Sequence, residues 1–587
     1  MLLAVAIFPL GAAALETSLS APGASKYLQD RLRQGSSVLT AESRGLDTPL
    51  ELISAALSDY RTLVQILYDQ GYFSPVVNIL LDGQEAANID PLATPASISR
   101  INIRVETGPL FQFGKAEIGP LAPGTVLPKR YAPGQTATTG AIRDAASAAV
   151  LGWKQVGHAK AAIGGQSVTA NHTQSRLNAQ IAVAPDRQLT FGKMNIQGDT
   201  DVKPTSIAKI AGFPTGEVYS PAQVQKVGTR LRRTGTFKSV SIQEDETANP
   251  DGSLDFTATF EDLPKRQITF GAELSSSNGI DVSAIWIHRN LFRGAERFQA
   301  EATLRNIGGT EDIDGRIGFR LDRPDTLGPD DSTFYRADIE RRNRTHYDSL
   351  SGVLAIGVRR TFSSELYVEG ALGYNYIEAD DAFGSDRKFR YAMLNTRAEW
   401  DKRDSKINAT RGFFLESRFT PFAGLSGTKS GARLTVDSRA YWDMGTGGNV
   451  VLAGRVQIGA VAGPTLSETA PDLLFFSGGA GTVRGQPYES LGIPVGTGVA
   501  GGRSFLGFSG ELRGKVTEKI SLVGFFDIGA VDSSSFVTST SLRHSGAGLG
   551  VRYDLGGFGP LRFDLAYPVE GTTGDGLQFY LGIGQAF

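Results

Sequence analysis

Two rules of hydrophobic spacing divide this chain, and the change falls near Pro264. Before it, apolar side chains recur at helical intervals over residues 52–70, where Ile53, Ala56, Leu57, Leu63, Ile66 and Leu67 share one face. Residues 141–154 repeat the pattern. A third helix opens at Ser220-Pro221, the serine suited to capping and the proline to the first turn, and runs to about Thr234. Each helix ends at a glycine stop: Gly71, Gly157 and Gly235. A strand pattern follows each stop, at 76–81, 161–169 and 240–244. Another comes next, at 101–106, 175–184 and 254–261. Phe113-Gly114-Lys115 with Ile118 returns as Phe191-Gly192-Lys193 with Ile196. A period of about 78 residues marks tandem domains rather than a short solenoid. The pattern predicts a β-α-α-β-β unit used three times, with domains at 15–108, 109–187 and 188–263.

Beyond Pro264 the helical period fades and alternation takes over. Leu549, Val551, Tyr553 and Leu555 alternate with Gly548, Gly550, Arg552 and Asp554. Leu561, Phe563, Leu565 and Tyr567 alternate with Arg562, Asp564 and Ala566. One apolar and one polar face also describes a soluble sandwich. Here the polar positions are often charged, and the runs continue to the last residue. About 324 residues at about 20 per strand and turn give roughly 16 strands, which suits a closed barrel with an apolar exterior and a polar lumen. Closure is required because a sheet edge in lipid leaves backbone groups unpaired. The expected fold class is α+β modules followed by a transmembrane antiparallel β-barrel of about 16 strands over 264–587.

Composition narrows the function. Lys+Arg is 59 and Asp+Glu 61, a formal net charge of -2, so nucleic acid is not expected as a partner. Cys is 0, which excludes disulfides, thiol catalysis and thiolate-held metals. The 5 His form no H-E-x-x-H pair, and G-x-S-x-G elbows and phosphate loops are absent. No enzyme activity, cofactor or metal is therefore expected. Residues 1–14 read as an export signal, an apolar run followed by Ala12-Ala13-Ala14, although the basic leader is missing. Export fits the periplasm or the outer membrane.

Gly481-Thr482-Val483-Arg484-Gly485-Gln486 lies in a glycine-rich stretch between strands. It resembles the V-R-G-aromatic tip of the sixth extracellular loop in the outer-membrane insertase superfamily that includes BamA and TamA. Phe525-Phe526-Asp527-Ile528-Gly529 is similar to that family's F-x-D-x-G strand, and Glu511 fits its acidic partner. Strand parity sets Asp527 against Phe526 and Ile528, and Glu511 against Gly510 and Leu512, which points both carboxylates into the lumen. The resemblance implies that the loop folds back inside and that Val483, Arg484 and Gly485 lock onto Glu511 and Asp527. A guanidinium offers the planar fork that two carboxylate oxygens need. Trp400-Asp401-Lys402-Arg403-Asp404 resembles the D-x-R-D strand, making Asp401, Arg403 and Asp404 a barrel motif. Residues 408–412 resemble the N-P-T-R-G turn, with Ala409 in place of the proline. Gln486 stands where the family carries an aromatic, and residues 576–584, GLQFYLGIG, resemble TamA-type closing strands.

The resemblance makes the three modules POTRA domains in the periplasm and the barrel an assembly factor in a bacterial outer membrane. It implies a TamB-like inner-membrane-anchored partner, unfolded outer-membrane protein clients such as autotransporters, and the lipid bilayer as surroundings. A lateral seam is expected between the first and last strands, involving Phe270, Phe579, Leu581, Gly582, Gly584 and Phe587. Glycines weaken that last strand. The alternative is a secretion channel for one exported protein.

Overall fold

A computed structural model describes residues 15–90, 95–275, 279–308, 312–445, 447–556 and 559–583. The expected export signal, Gly584 and Phe587 lie outside the described residues. The chain divides into two compact units, one built mainly from residues before 194 and the other mainly from 256 onward.

The first module orders its sheet as Glu16–Ser20, Arg100–Glu106, Val76–Leu81, Gln84–Glu85, with the first two strands parallel. Its long helix, Pro49–Asp69, starts at a capping box in which Thr48 and Glu51 satisfy each other's backbone N–H groups. Leu52, Ile53, Ala56, Leu63 and Leu67 from this helix pack on Ile79, Ile101 and Ile103 of the sheet. The second module orders Gln112–Gly119, Arg176–Ala184, Ala162–Asn171, under the helix Thr139–Gln155.

The expectation of two helices per unit fails in this second module. Residues 120–138 hold Pro120, Pro123, Pro128 and Pro133, which lack the N–H a helix needs. The segment instead sends Tyr131 into the core, with its ring centroid 5.3 Å from that of Phe113. In the third sheet the order is Thr190–Asp199, Ser253–Asp262, Phe237–Glu244, with helices Pro204–Ala211 and Pro221–Arg233 in the same module.

The repeated Phe-Gly-Lys has a structural cause. The register slips between Phe113 and Lys115, a β-bulge. A Cβ on Gly114 would lie 2.5 Å from Oδ1 of Asn178, the oxygen that accepts the Lys115 N–H at 2.9 Å. Lys193 N–H donates to Asp255 at 2.6 Å beside Gly192 in the same way.

In the second unit, sixteen strands among the described residues form a closed antiparallel barrel, from Arg266–Ser275 to Gln578–Ile583. The exterior is apolar: Leu354, Leu372, Leu512 and Leu549 are exposed. Ion pairs run along the interior, among them Arg316–Asp338, Arg320–Glu369, Arg397–Glu416 and Arg455–Asp437. This inside-out distribution belongs to a barrel in lipid. Among the described residues no helix is long and apolar enough to cross a membrane.

Neighbouring strands are stitched over long registers. The first and second run from Arg266 opposite His288 to Ser275 opposite Gly279. Across the closure, Ser275 opposite Tyr580 is the sole registered pair among the described residues.

Two turns of the barrel meet the third module. Ala295, between the second and third strands, is buried with Val202, Ile207, Leu231 and Phe260. Glu296 holds that turn by accepting the N–H groups of Phe292 and Gly294 at 3.1 and 2.9 Å. Asp330, just before the fifth strand Asp331–Arg344, takes the Arg230 fork at 3.0 and 2.7 Å.

Candidate functional site

Residues 463–503 join the eleventh strand, Val450–Ala462, to the twelfth, Ser504–Lys515, and fold into the lumen. Leu473, Phe475 and Leu491 of this loop bury themselves among the inward side chains Tyr391, Phe422, Phe505 and Val531. Arg433 lies over the Phe475 ring at 4.7 Å and donates to the Leu473 carbonyl at 2.9 Å. An apolar base and cationic walls thus carry the loop inward.

Its tip is built around Arg484. Nε and Nη2 donate to the two oxygens of Asp527 at 2.7 and 2.9 Å, and the Arg484 backbone N–H adds a third bond at 3.1 Å. Nη1 reaches Glu511 at 2.6 Å and Asp564 at 3.3 Å. The guanidinium also stacks on Phe525, 3.6 Å from the ring centre. Arg513 pairs with Glu511 at 2.8 Å, and Arg552 pairs with Asp564. Three guanidiniums meet three carboxylates, all buried. A buried charge is tolerated only when paired and hydrogen-bonded, and here the signs balance.

The structure therefore brings Val483, Arg484, Gly485, Glu511 and Asp527 together. Sequence reasoning missed Asp564, Arg552, Arg513 and Phe525. A signal existed: Asp564 and Arg552 sit on the polar parity of their strands, and Phe525 shares the parity of Asp527.

Glycines make the room. Gly485 has φ +90°, and a Cβ on it would lie 2.7 Å from the Tyr567 carbonyl. On the fourteenth strand, Leu542–Asp554, a Cβ at Gly546 would strike the Arg484 carbonyl, and one at Gly548 would lie 2.5 Å from the Phe525 ring.

Gln486 is fully buried. Its Nε2 donates to the carbonyls of Ser545 and Glu570 at 2.8 and 3.1 Å, and its Oε1 accepts from Thr573 at 2.9 Å. The departure from an aromatic exchanges ring packing for three hydrogen bonds to the last strands.

Asp401, Arg403 and Asp404 form a separate group at the end of the eighth strand, Gly384–Asp401. Arg403 forks onto Asp401 at 2.8 and 2.8 Å and lies over Phe414. Asp404 accepts the N–H groups of Thr410 and Arg411 at 3.0 and 3.2 Å, closing the turn. Ala409, in place of the turn proline, is buried with Tyr441 and Val451.

At the seam, Phe270 registers with Ala284 of the second strand and is 78 % exposed. Among the described residues the closure registers at Ser275–Tyr580, at the other end of the first strand from Phe270. Phe579 and Leu581 are exposed on the outer face, and Gly582 leaves space that Arg562 enters, at 2.8 Å from a Cβ placed there.

The Omp85 superfamily domain matches residues 290–587, just over half of the chain. The chain belongs to the Omp85 superfamily. A POTRA match, described as surface antigen variable number repeat, covers residues 189–259 of this Omp85 protein. Among solved structures it is similar to BamA from Haemophilus ducreyi lacking POTRA domains 1–3, at 15% identity and a TM-score of 0.62, over 81% of this chain and 100% of that one. It is also similar to CdiB from Escherichia coli, at 12% identity and a TM-score of 0.49, over 81% of this chain and 91% of that one. CdiB from Acinetobacter baumannii gives 14% and 0.49, over 92% and 99%. An Omp85 barrel with POTRA modules is an outer-membrane protein whose POTRA domains stand in the periplasm, and its family inserts or secretes outer-membrane proteins.

Proposed function

We propose that this Omp85 protein is an assembly factor of the TamA type, which inserts outer-membrane proteins such as autotransporters through its lateral seam. The observation that carries the reading is the closure itself. A single described pair, Ser275–Tyr580, closes a wall whose other strands are joined over long registers. Backbone groups freed in lipid are costly, so the seam opens stably only when a client strand satisfies them. The buried loop supports the same reading, because it fills the extracellular end of the lumen. The second module contributes a groove of about 900 Å³ beside the edge strand Ala162–Asn171, lined by Ile142, Val150, Ile163 and Val168, where an extended client fits. A TamB-like inner-membrane-anchored protein is the proposed partner.

The second reading, a secretion channel, draws on a charged lumenal cavity of about 640 Å³ lined by Arg316, Asp338, Glu369 and Arg397. A disulfide separates the two in a chain with no native cysteine. Leu274→Cys with Leu581→Cys, oxidised in membranes, is expected to leave the barrel folded and to lower client assembly at least about tenfold, with recovery on reduction. Full assembly with the seam bonded overturns the gate and favours the lumen. Co-purification from native membranes tests the TamB-like partner.

A further inference from the structure

The sixteenth strand turns Phe579 and Leu581 outward and Tyr580 inward, where only 9 % of it is exposed. Its hydroxyl accepts the Gly485 N–H at 3.1 Å and reaches the Gln486 carbonyl at 3.5 Å. The same residue lies opposite Asp564 on one side and opposite Ser275 on the other. The residue that makes the described seam pair is thus the one whose side chain the loop tip holds.

We propose that Tyr580 is a release catch: its bonds to the loop tip keep the closing strand in the wall, and they part first when the seam opens, while the Arg484 lock stays engaged. The geometry stands apart from the seam reading; its use in client assembly rests on that reading.

The ranking of bonds carries the argument. From one short tip, Arg484 holds the twelfth, thirteenth and fifteenth strands through Glu511, Asp527 and Asp564. Gln486 holds the fourteenth and fifteenth through Ser545 and Glu570. Tyr580 is the tip's bond to the sixteenth among the described residues. Charge-assisted bonds in a forked pair are roughly twice as strong as neutral ones. The tip is therefore anchored to the twelfth, thirteenth and fifteenth strands by charge-assisted bonds and to the fourteenth by the fully buried Gln486 amide, while at the seam strand the described hold is a phenol accepting one N–H at 3.1 Å.

The donor is also well placed. The Arg484 N–H is fixed on Asp527 and the Gln486 side-chain amide on the Ser545 and Glu570 carbonyls, so the Gly485 N–H between them has little freedom to follow a departing strand. Movement of Tyr580 breaks the bond instead of dragging the tip.

Amide hydrogen exchange of the full chain in lipid nanodiscs tests this without any client. Tyr580→Phe keeps the ring and removes the hydroxyl. Amides of residues 578–583, together with Gly485, are expected to exchange about fivefold to tenfold faster, the effect of one hydrogen bond, while residues 525–529 stay unchanged. Arg484→Lys is expected to give the converse, with faster exchange at 525–529. Unchanged exchange at 578–583 in Tyr580→Phe overturns the catch, as does an equal rise in all barrel strands. Full client assembly with the seam disulfide closed removes the gate but leaves a positive exchange result standing. A blocked seam with unchanged exchange removes the catch and leaves the gate.

Discussion

Arg484 carries more than its own charge. Without it, Asp527 loses its fork and Glu511 and Asp564 each lose a contact. Breaking a buried pair costs about 3–5 kcal/mol, so Arg484→Ala is expected to lower the temperature at which the barrel loses its compact gel mobility. Arg484→Lys, with charge but no fork, should fall between that variant and the native chain. Gln486→Leu keeps the volume but strands the Ser545 and Glu570 carbonyls, a loss of about 1–3 kcal/mol visible in the same assay. The two carboxylates were legible in the sequence because motif and parity agreed on Asp527 and Glu511. Asp564 was placed on the inner face, but nothing local says that the fifteenth strand meets the loop. Gln486 was illegible for another reason: its partners are mostly backbone carbonyls, which leave no mark in a sequence.

Elements were legible where one period governed them. The helix Pro49–Asp69 and the alternating strands follow their patterns closely. The missing helix of the second module shows the limit, since the repeat suggested a helix that four prolines forbid. Likewise, the Phe-Gly-Lys repeat announced similarity without revealing a bulge, which depends on Asn178 and Asp255 some sixty residues away. At the third module, the clasp between the helix Pro221–Arg233 and Asp330 makes a pH prediction. The Arg230 bond holds the Asp330 carboxyl down at about 2, from an ordinary 3.8. A depressed carboxyl stabilises fully above its unfolded value and loses that stabilisation as pH falls through the folded one. Screened by solvent, the clasp is worth on the order of 1 kcal/mol at neutral pH, and it should weaken between about pH 4 and pH 2. Hydrogen exchange of residues 221–233 should rise across that interval in the native chain, and be high and flat in Asp330→Asn.

For the whole molecule, the barrel wall closes on itself, and among the described residues the closing line registers at Ser275–Tyr580. Register across that line was beyond the sequence, which names Phe270 and Leu581 as seam residues without fixing what each one faces. Two ends of a barrel meet only after every intervening strand has set its tilt.

The six-charge cluster also ties the loop to the wall around it. Arg484 precedes all three of its carboxylates in the chain, and Asp564, on the fifteenth strand, lies furthest from it. A wall in which the fifteenth strand has not yet joined holds Arg484, Arg513 and Arg552 against only Glu511 and Asp527, an uncompensated positive charge in a desolvated space. The loop then has reason to remain outside. Once Asp564 arrives, neutrality is reached and burial becomes favourable. Charge balance thereby makes burial of the loop conditional on the fifteenth strand having taken its place in the wall.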